Sequence, residues 1–185
     1  MRARFCGACG APLPEPPPTV CPGCGTEHWR NAKPCANALV VSGGKVLLVR
    51  RAHAPWLGGW CAPGGFCDPI EHPAAAAERE ILEEAGVRAQ VTTLLGIWLD
   101  AYADEPADEE ADRISVAYYL AEPVADAPVG TPDPTEVSDV GWFPLEDPPE
   151  PLAPPGTLAS VLAAAQRALR EGRTARYLPD LPGSE

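Results

Sequence analysis

Positive charge, aromatic residues and long apolar runs are all scarce in this chain of 185 residues. Fourteen Lys and Arg stand against 26 Asp and Glu, a net charge of −12, and aromatics make up only 6%. So acidic a surface disfavours non-specific association with nucleic acid, whose phosphates need cations. No apolar run approaches the roughly 20 residues of a membrane-spanning helix, and the N-terminus lacks the apolar region of a secretion signal. A cytoplasmic protein without a membrane partner is therefore expected. The hydrophobic share of 45% is enough for a core, and the length suits one catalytic domain plus a small accessory module. The negative charge is uneven: residues 1–53 carry seven basic residues and two acids, while the rest carries seven and 24. An anionic substrate would approach through bound metal and through local basics such as Arg50 and Arg51, unless these two form a solvated strand end.

Cysteine is where the chain has a pattern. Cys6-Gly7-Ala8-Cys9 and Cys21-Pro22-Gly23-Cys24 are two Cys-x-x-Cys knuckles separated by a Pro-rich loop. Four soft ligands delivered in pairs by tight turns suit a structural, tetrahedral Zn2+ site. So short a segment buries too little apolar surface to fold alone, and the metal would supply the folding energy. Disulfides are the competing reading, disfavoured without a secretion signal. Cys35, Cys61 and Cys67 form no further knuckle pair and read as small buried hydrophobes.

Beyond a polar link from Thr26 to Pro34, Ala36–Val41 and Val46–Arg50 read as strands joined by a hairpin turn at Ser42-Gly43-Gly44-Lys45. The loop Ala52–Trp60 holds Trp56 and Trp60. One is expected to pack in the fold and the other to stack on a base, although plain packing suits either. Pro63-Gly64-Gly65 reads as a glycine turn that lets backbone approach a phosphate or metal. Ala89–Leu99, Ile114–Leu120 and Val140–Phe143 read as strands, separated by an acidic loop over Ala103–Asp112 and a Pro-rich loop over Asp126–Thr135. Thr157–Glu171 repeats Leu158, Val161, Leu162, Ala165 and Leu169 on one face, as an amphipathic helix covering the sheet does.

The most informative stretch lies between these strands. His72 and Pro73 mark a helix start, four alanines follow, and Gly86 ends it. Ala74, Ala77 and Ile81 make an apolar stripe. Glu80, Glu83 and Glu84 share another face, and Arg79 is placed to pair with Glu83. Like charges this close, near the helix's negative end, need compensation. A solvated acidic face is one answer. A hard divalent cation, Mg2+ or Mn2+, is the other, because it takes carboxylate oxygens and keeps positions for water and phosphate.

The stretch from Gly65 to Val87 resembles the Nudix box, Gly-x5-Glu-x7-Arg-Glu-aliphatic-x-Glu-Glu-x-Gly-aliphatic. It matches at Gly65, Glu71, Arg79, Glu80, Ile81, Glu83, Glu84, Gly86 and Val87. The knuckles resemble the zinc ribbon ahead of some Nudix domains of the NADH-pyrophosphatase type. The resemblance implies an α/β fold, an α/β/α sandwich around a mixed sheet, preceded by a small zinc ribbon. The expected division is a ribbon over 1–34, a Nudix domain over 35–150 and a C-terminal helix and tail over 151–185. It also implies Mg2+-dependent hydrolysis of a nucleoside diphosphate linked to another group. Glu80, Glu83, Glu84 and the carbonyl of Gly65 would hold the metal, with Arg79 and Glu71 bracing them.

Catalysis by this resemblance falls to Glu83, Glu84, Arg79 and one acid outside the box that serves as metal ligand or base, the proton from water going to a box glutamate or to that acid. Glu136 is that acid, with Asp139 the second choice. Arg50, Arg51 and Trp56 are the expected substrate contacts. ADP-ribose or an ADP-sugar is the first substrate choice. NADH is the second, set back by the lack of a Ser-Gln-Pro-Trp array between Arg88 and Asp112. The rival from another class is a nucleotide-sensing module without catalysis. Such modules commonly lose box glutamates, and here all are present. A homodimer is compatible with the resemblance, and a nucleic-acid partner is not expected.

Overall fold

A computed structural model of the chain describes residues 4–104, 111–125 and 133–172. Two short strands come first, β1 (Thr19–Val20) and β2 (Glu27–His28), paired antiparallel with Thr19 opposite His28. This hairpin sets the two cysteine knuckles side by side. Each knuckle closes with the same turn: Gly10 donates to the Cys6 carbonyl at 2.8 Å and Gly25 to the Cys21 carbonyl at 2.9 Å. Both glycines sit at φ 75°, in the left-handed region where a side chain costs most.

Among the described residues the large sheet has seven strands: β3 (Lys33–Ser42), β4 (Lys45–Arg51), β5 (Trp60–Cys61), β6 (Gly64–Phe66), β7 (Ala89–Ala101), β8 (Arg113–Pro123) and β9 (Val137–Pro144). Its main order is β5-β4-β3-β8-β7, with β6 against β3 and β9 against β4. The pair β3–β8 is parallel, running from Lys33 opposite Ile114 to Val40 opposite Ala121, and the other pairs are antiparallel. Helix α1 (Pro73–Ala85) lies on one face and α2 (Pro155–Arg170) on the other.

The period of two along a strand decides which residue meets which helix. Ala36, Ala38 and Val40 of β3, Leu47 and Val49 of β4, and Ala117 and Tyr119 of β8 face the α1 side. Leu39, Val46, Leu48, Val116, Tyr118 and Leu120 face the α2 side. Both sides are dry, so these strands read as continuous apolar runs. Ile81, Leu39, Leu48 and Leu158 have no exposed surface. Each contributes about 1.5–3 kcal/mol by burial, and truncating Ile81 to Ala would cost about 2–5 kcal/mol. The expected α/β/α sandwich around a mixed sheet is the fold observed.

Three local expectations change. Pro63-Gly64-Gly65 does not turn. Gly64–Phe66 is a strand, pairing where β4 leaves the first half of β3 uncovered. Gly64, at φ 155°, makes this possible, because a Cβ there would collide with the Asn37 side chain and the Ala36 carbonyl. The segment 26–34 is more than a link, since it contains β2 and the first residues of β3. In α2, Leu158, Val161, Leu162 and Ala165 are buried as expected, whereas Leu169 is 38% exposed because it lies in the last turn of the helix.

Candidate active site

Helix α1 begins as its sequence demands. The Ala74 N–H donates to His72 Nδ1 at 3.1 Å, and Pro73 occupies the first turn. It ends with Gly86 at φ 66°, whose N–H donates to the Leu82 carbonyl at 3.0 Å. With Ala74, Ala76, Ala77, Ile81 and Ala85 buried against the sheet, the rotation of the helix is fixed. Glu80 and Glu84 then lie at its margin, 8% and 9% exposed.

Oxygens of Glu80, Glu84 and Glu136 all lie within 4.8 Å of one another. Glu136 comes from the segment before β9, and its carbonyl accepts the Ala52 N–H at 3.0 Å, which ties it to the end of β4. Burial pushes the Glu84 carboxyl up to about 8, reinforced by the charges of Glu80 and Glu136 and opposed by the Gly64 N–H that it accepts at 2.9 Å. Burial also raises Glu80, with Arg79 pulling the other way. Three close carboxylates, two of them nearly dry, are a strongly electron-rich set. Only protons or a cation relieve such repulsion. The donors are hard oxygens, as Mg2+ or Mn2+ requires. A Cβ on Gly65 would stand 2.5 Å from Glu80 Oε1, so glycine there leaves the space beside the carboxylate clear.

Arg79 braces this group. Its Nε and one terminal nitrogen donate to the two oxygens of Glu71 at 3.0 and 2.9 Å, while the other reaches Glu80 at 2.8 Å and Glu83 at 3.2 Å. It also donates to the Phe66 carbonyl at 3.2 Å. The paired hydrogen bond to Glu71 is the main reason that Arg79 is held more firmly protonated and Glu71 more firmly ionised than usual. Glu83 lines the same cavity but stands outside the close trio, with its carboxylate on Arg79 and its carbonyl accepting the Asp133 N–H at 3.1 Å.

The carboxylates form one end of a cavity of about 470 Å3. The other end is aromatic. The Trp56 and Tyr102 rings meet edge-on at 5.9 Å, and those of Phe66 and Tyr102 at 5.8 Å. Arg51 lies 5.6 Å from the Trp56 ring and donates to the Pro55 carbonyl at 2.7 Å, with its terminal nitrogen 3.5 Å from the Tyr102 hydroxyl. Trp56 has φ 61°, unusual for a bulky residue, and its N–H is held by the Asp104 carboxylate at 2.5 Å. Ile114, Val116 and Tyr118 add wall on the α2 side, and Asn37 and His53 add polar groups.

Of the substrate contacts expected from sequence, Arg51 and Trp56 reach the cavity. Arg50 does not. It is exposed and donates to the Gly58 carbonyl at 3.0 Å, because neighbouring residues on a strand point to opposite faces. Asp139 is likewise outside, paired opposite Arg50 in the ladder. Trp60 is the packed tryptophan, edge-on to Phe143 at 4.7 Å. Phe66, Asn37 and His53 carry no sequence signal that would place them here. Only the fold gathers them. Of the acidic loop, Asp104 binds the Trp56 N–H and Asp112 binds Lys33, while residues 105–110 lie outside the described residues. Burial pushes the thiols of Cys35 and Cys61 up to about 12, and Cys67 is raised in the same direction. Protonated thiols are not nucleophiles.

The second site is the cysteine cluster. Cys6 and Cys24 sulfurs are 3.6 Å apart, as are those of Cys9 and Cys21, and all four lie within 4.8 Å of one another. Four thiolates about 2.3 Å from one zinc ion would stand about 3.8 Å apart, so the cage has the size zinc needs. No helix among the described residues is long and apolar enough to cross a membrane.

The chain is similar to known proteins. The NAD-capped RNA hydrolase NudC of Stutzerimonas stutzeri is 29% identical over 180 residues, 95% of this chain and 60% of that protein. The ADP-ribose pyrophosphatase of Methanocaldococcus jannaschii is 32% identical over 84 residues, 45% of this chain and 47% of that protein. The chain thus spans less than two thirds of either relative. Among solved structures, a NUDIX hydrolase from Nitrosomonas europaea gives a TM-score of 0.69 at 24% identity, over 94% of both chains. The MutT NUDIX hydrolase from Burkholderia pseudomallei gives 0.60 at 29% identity, over 72% of this chain and 98% of that one. The NUDIX domain family model matches residues 32–163, which takes in the sheet, α1 and the carboxylate cluster, and the chain belongs to that family.

Proposed function

We propose that this chain is a divalent-metal-dependent diphosphohydrolase that cleaves a nucleoside diphosphate linked to a second group, with ADP-ribose or an ADP-sugar as the first substrate. The observation that carries the reading is the meeting, in one cavity, of the Glu80–Glu84–Glu136 cluster and an aromatic end built from Trp56, Tyr102 and Phe66. Charged diphosphate suits the first and a planar base the second.

Glu80 and Glu84 would hold Mg2+ or Mn2+ with the Gly65 carbonyl, and Glu83 stands beside them on the Arg79 clamp. Such a cation, when bound, neutralises diphosphate charge and acidifies a water. Glu136 is the exposed member of the trio and takes the proton as the water oxygen bonds to phosphorus and the anhydride P–O bond breaks. The products are a nucleoside monophosphate and a phosphorylated partner. Arg79 keeps Glu80 and Glu83 aimed, and Arg51 meets the substrate beside the base. Removing one ligating carboxylate is expected to lower the rate about a thousandfold, or about 4 kcal/mol of barrier.

The ribbon over 1–34 is read as a structural zinc module on a Nudix domain over 35–150, with the helix and tail over 151–185 completing it. A second substrate reading, a dinucleotide or a nucleotide-capped RNA, is favoured by the NudC likeness, which covers 95% of this chain. The acidic charge and the absent Ser-Gln-Pro-Trp array weigh against it. Mass spectrometry of products after incubation with Mg2+ decides between them. ADP-ribose, NADH, NAD+, diadenosine polyphosphates and NAD-capped RNA would be compared, and cleavage of one at its diphosphate names the class. Tight binding of a nucleotide without any turnover would replace the enzyme by a sensor.

A further inference from the structure

The segment that leads out of the cysteine knuckles reaches the aromatic end of the cavity without lining it. Lys33, the first residue of β3, places Nζ 2.6 Å from Asp112 Oδ2 and 5.7 Å from the centre of the Phe66 ring. The carbonyl of the same Asp112 accepts the Tyr102 N–H at 2.8 Å. Three residues upstream, Arg30 donates to the Ala111 carbonyl at 3.0 Å. One cation therefore touches both supports of the aromatic end: the ring on β6, and the loop base that fixes Tyr102. Phe66 and Tyr102 then meet edge-on, and Tyr102 in turn meets Trp56. Phe66 also offers its carbonyl to Arg79, so the same residue joins the aromatic end to the carboxylate clamp.

We propose that Lys33 is a positioning residue for substrate recognition: it sets the spacing of Phe66 and Tyr102, so that the linker from the cysteine module tunes affinity for the substrate's planar ring. This rests on the reading that the aromatic end takes that ring. Lys33 and Asp112 are partly exposed, at 53% and 38% of their side chains, and an exposed ion pair adds little to global stability. Its consequence is local geometry, which binding senses and folding does not.

The test uses the full chain with its zinc retained, as wild type, Lys33→Met and Lys33→Arg. With ADP-ribose and Mg2+, Lys33→Met is expected to raise KM about fivefold and leave kcat within about twofold, while Lys33→Arg restores KM. Melting temperatures should agree within a few degrees. A readout without substrate keeps the proposal separate from the hydrolase reading. In protein labelled with 3-fluorotyrosine, the Tyr102 19F signal, assigned by its loss in Tyr102→Phe, should move in Lys33→Met and return in Lys33→Arg. If the wild type hydrolyses no nucleotide, the hydrolase reading fails and the 19F signal still decides the positioning role. An unmoved Tyr102 signal, an unchanged KM, or a loss confined to kcat would overturn the proposal.

Discussion

The carboxylate of Glu84 accepts the backbone N–H of Gly64 at 2.9 Å, which joins the glutamate helix to the short strand β6 where the cavity begins. Glu84 is thereby held on the cavity side of a nearly dry position, and burial keeps its carboxyl far more basic than usual. A buried carboxylate with one fixed donor and two carboxylate neighbours is an arrangement that favours a cation over an empty site.

The first prediction concerns space. In Gly65→Ala, the added Cβ would stand 2.5 Å from Glu80 Oε1, and Glu80 must turn away. The fold should persist, while affinity for Mg2+ or Mn2+ falls about tenfold or more. Titration calorimetry with Mn2+ measures this, and unchanged affinity would show that Glu80 does not need its present position.

The second concerns pH. Glu71 is held below its ordinary value of 4.5, chiefly by its hydrogen bonds to Arg79. A carboxylate lowered in the folded state stabilises it above the unfolded value, and that stabilisation fades as pH falls through the folded value. Wild type should therefore melt above Glu71→Gln at pH 7, and the gap should narrow steadily as pH falls below the ordinary value of 4.5. A gap that did not narrow at all through that fall would mean that Glu71 acts by packing and not by charge.

The third concerns the cysteine cage. One zinc per chain is expected by elemental analysis, and Cys9→Ser should lose it. Zinc supplies about 10–16 kcal/mol in isolated fingers, so the β1–β2 segment should become protease-sensitive without it, while the large sheet, with its own two-sided core, stays folded. Zinc-free protein carrying two disulfides would contradict this.

Much of the architecture is legible in the chain before any coordinates. Helix α1 announces both ends through His72-Pro73 and Gly86, and its buried face through Ala74, Ala77 and Ile81. The knuckles announce a metal cage because ligand spacing is a local property. What stays hidden is non-local. β6 forms only because β3 outruns β4 and its edge needs a partner, a fact of pairing that Gly64 and Gly65 do not reveal. Arg50 and Arg51 look alike in sequence, and the strand's alternation sends one to solvent and the other to the cavity. Tyr102 and Phe66 meet although they stand 36 residues apart in the chain.

A fourth prediction follows from that meeting. Stacking a base on an aromatic ring contributes about 1–3 kcal/mol. Trp56→Ala should therefore raise KM for a nucleotide substrate about tenfold or more, with a smaller change in kcat. Steady-state kinetics checks it, and an unaltered KM would place the base elsewhere.

The most direct measurement is turnover of ADP-ribose in Mg2+ by wild type and by Glu84→Gln, an isosteric change that removes one ionisable, cation-ligating carboxyl from the cluster. Hydrolysis to AMP and ribose 5-phosphate by the wild type, with kcat/KM about a thousandfold lower in the variant, is the predicted result. Equal rates in the two proteins would contradict a reaction built on the Glu80–Glu84–Glu136 cluster.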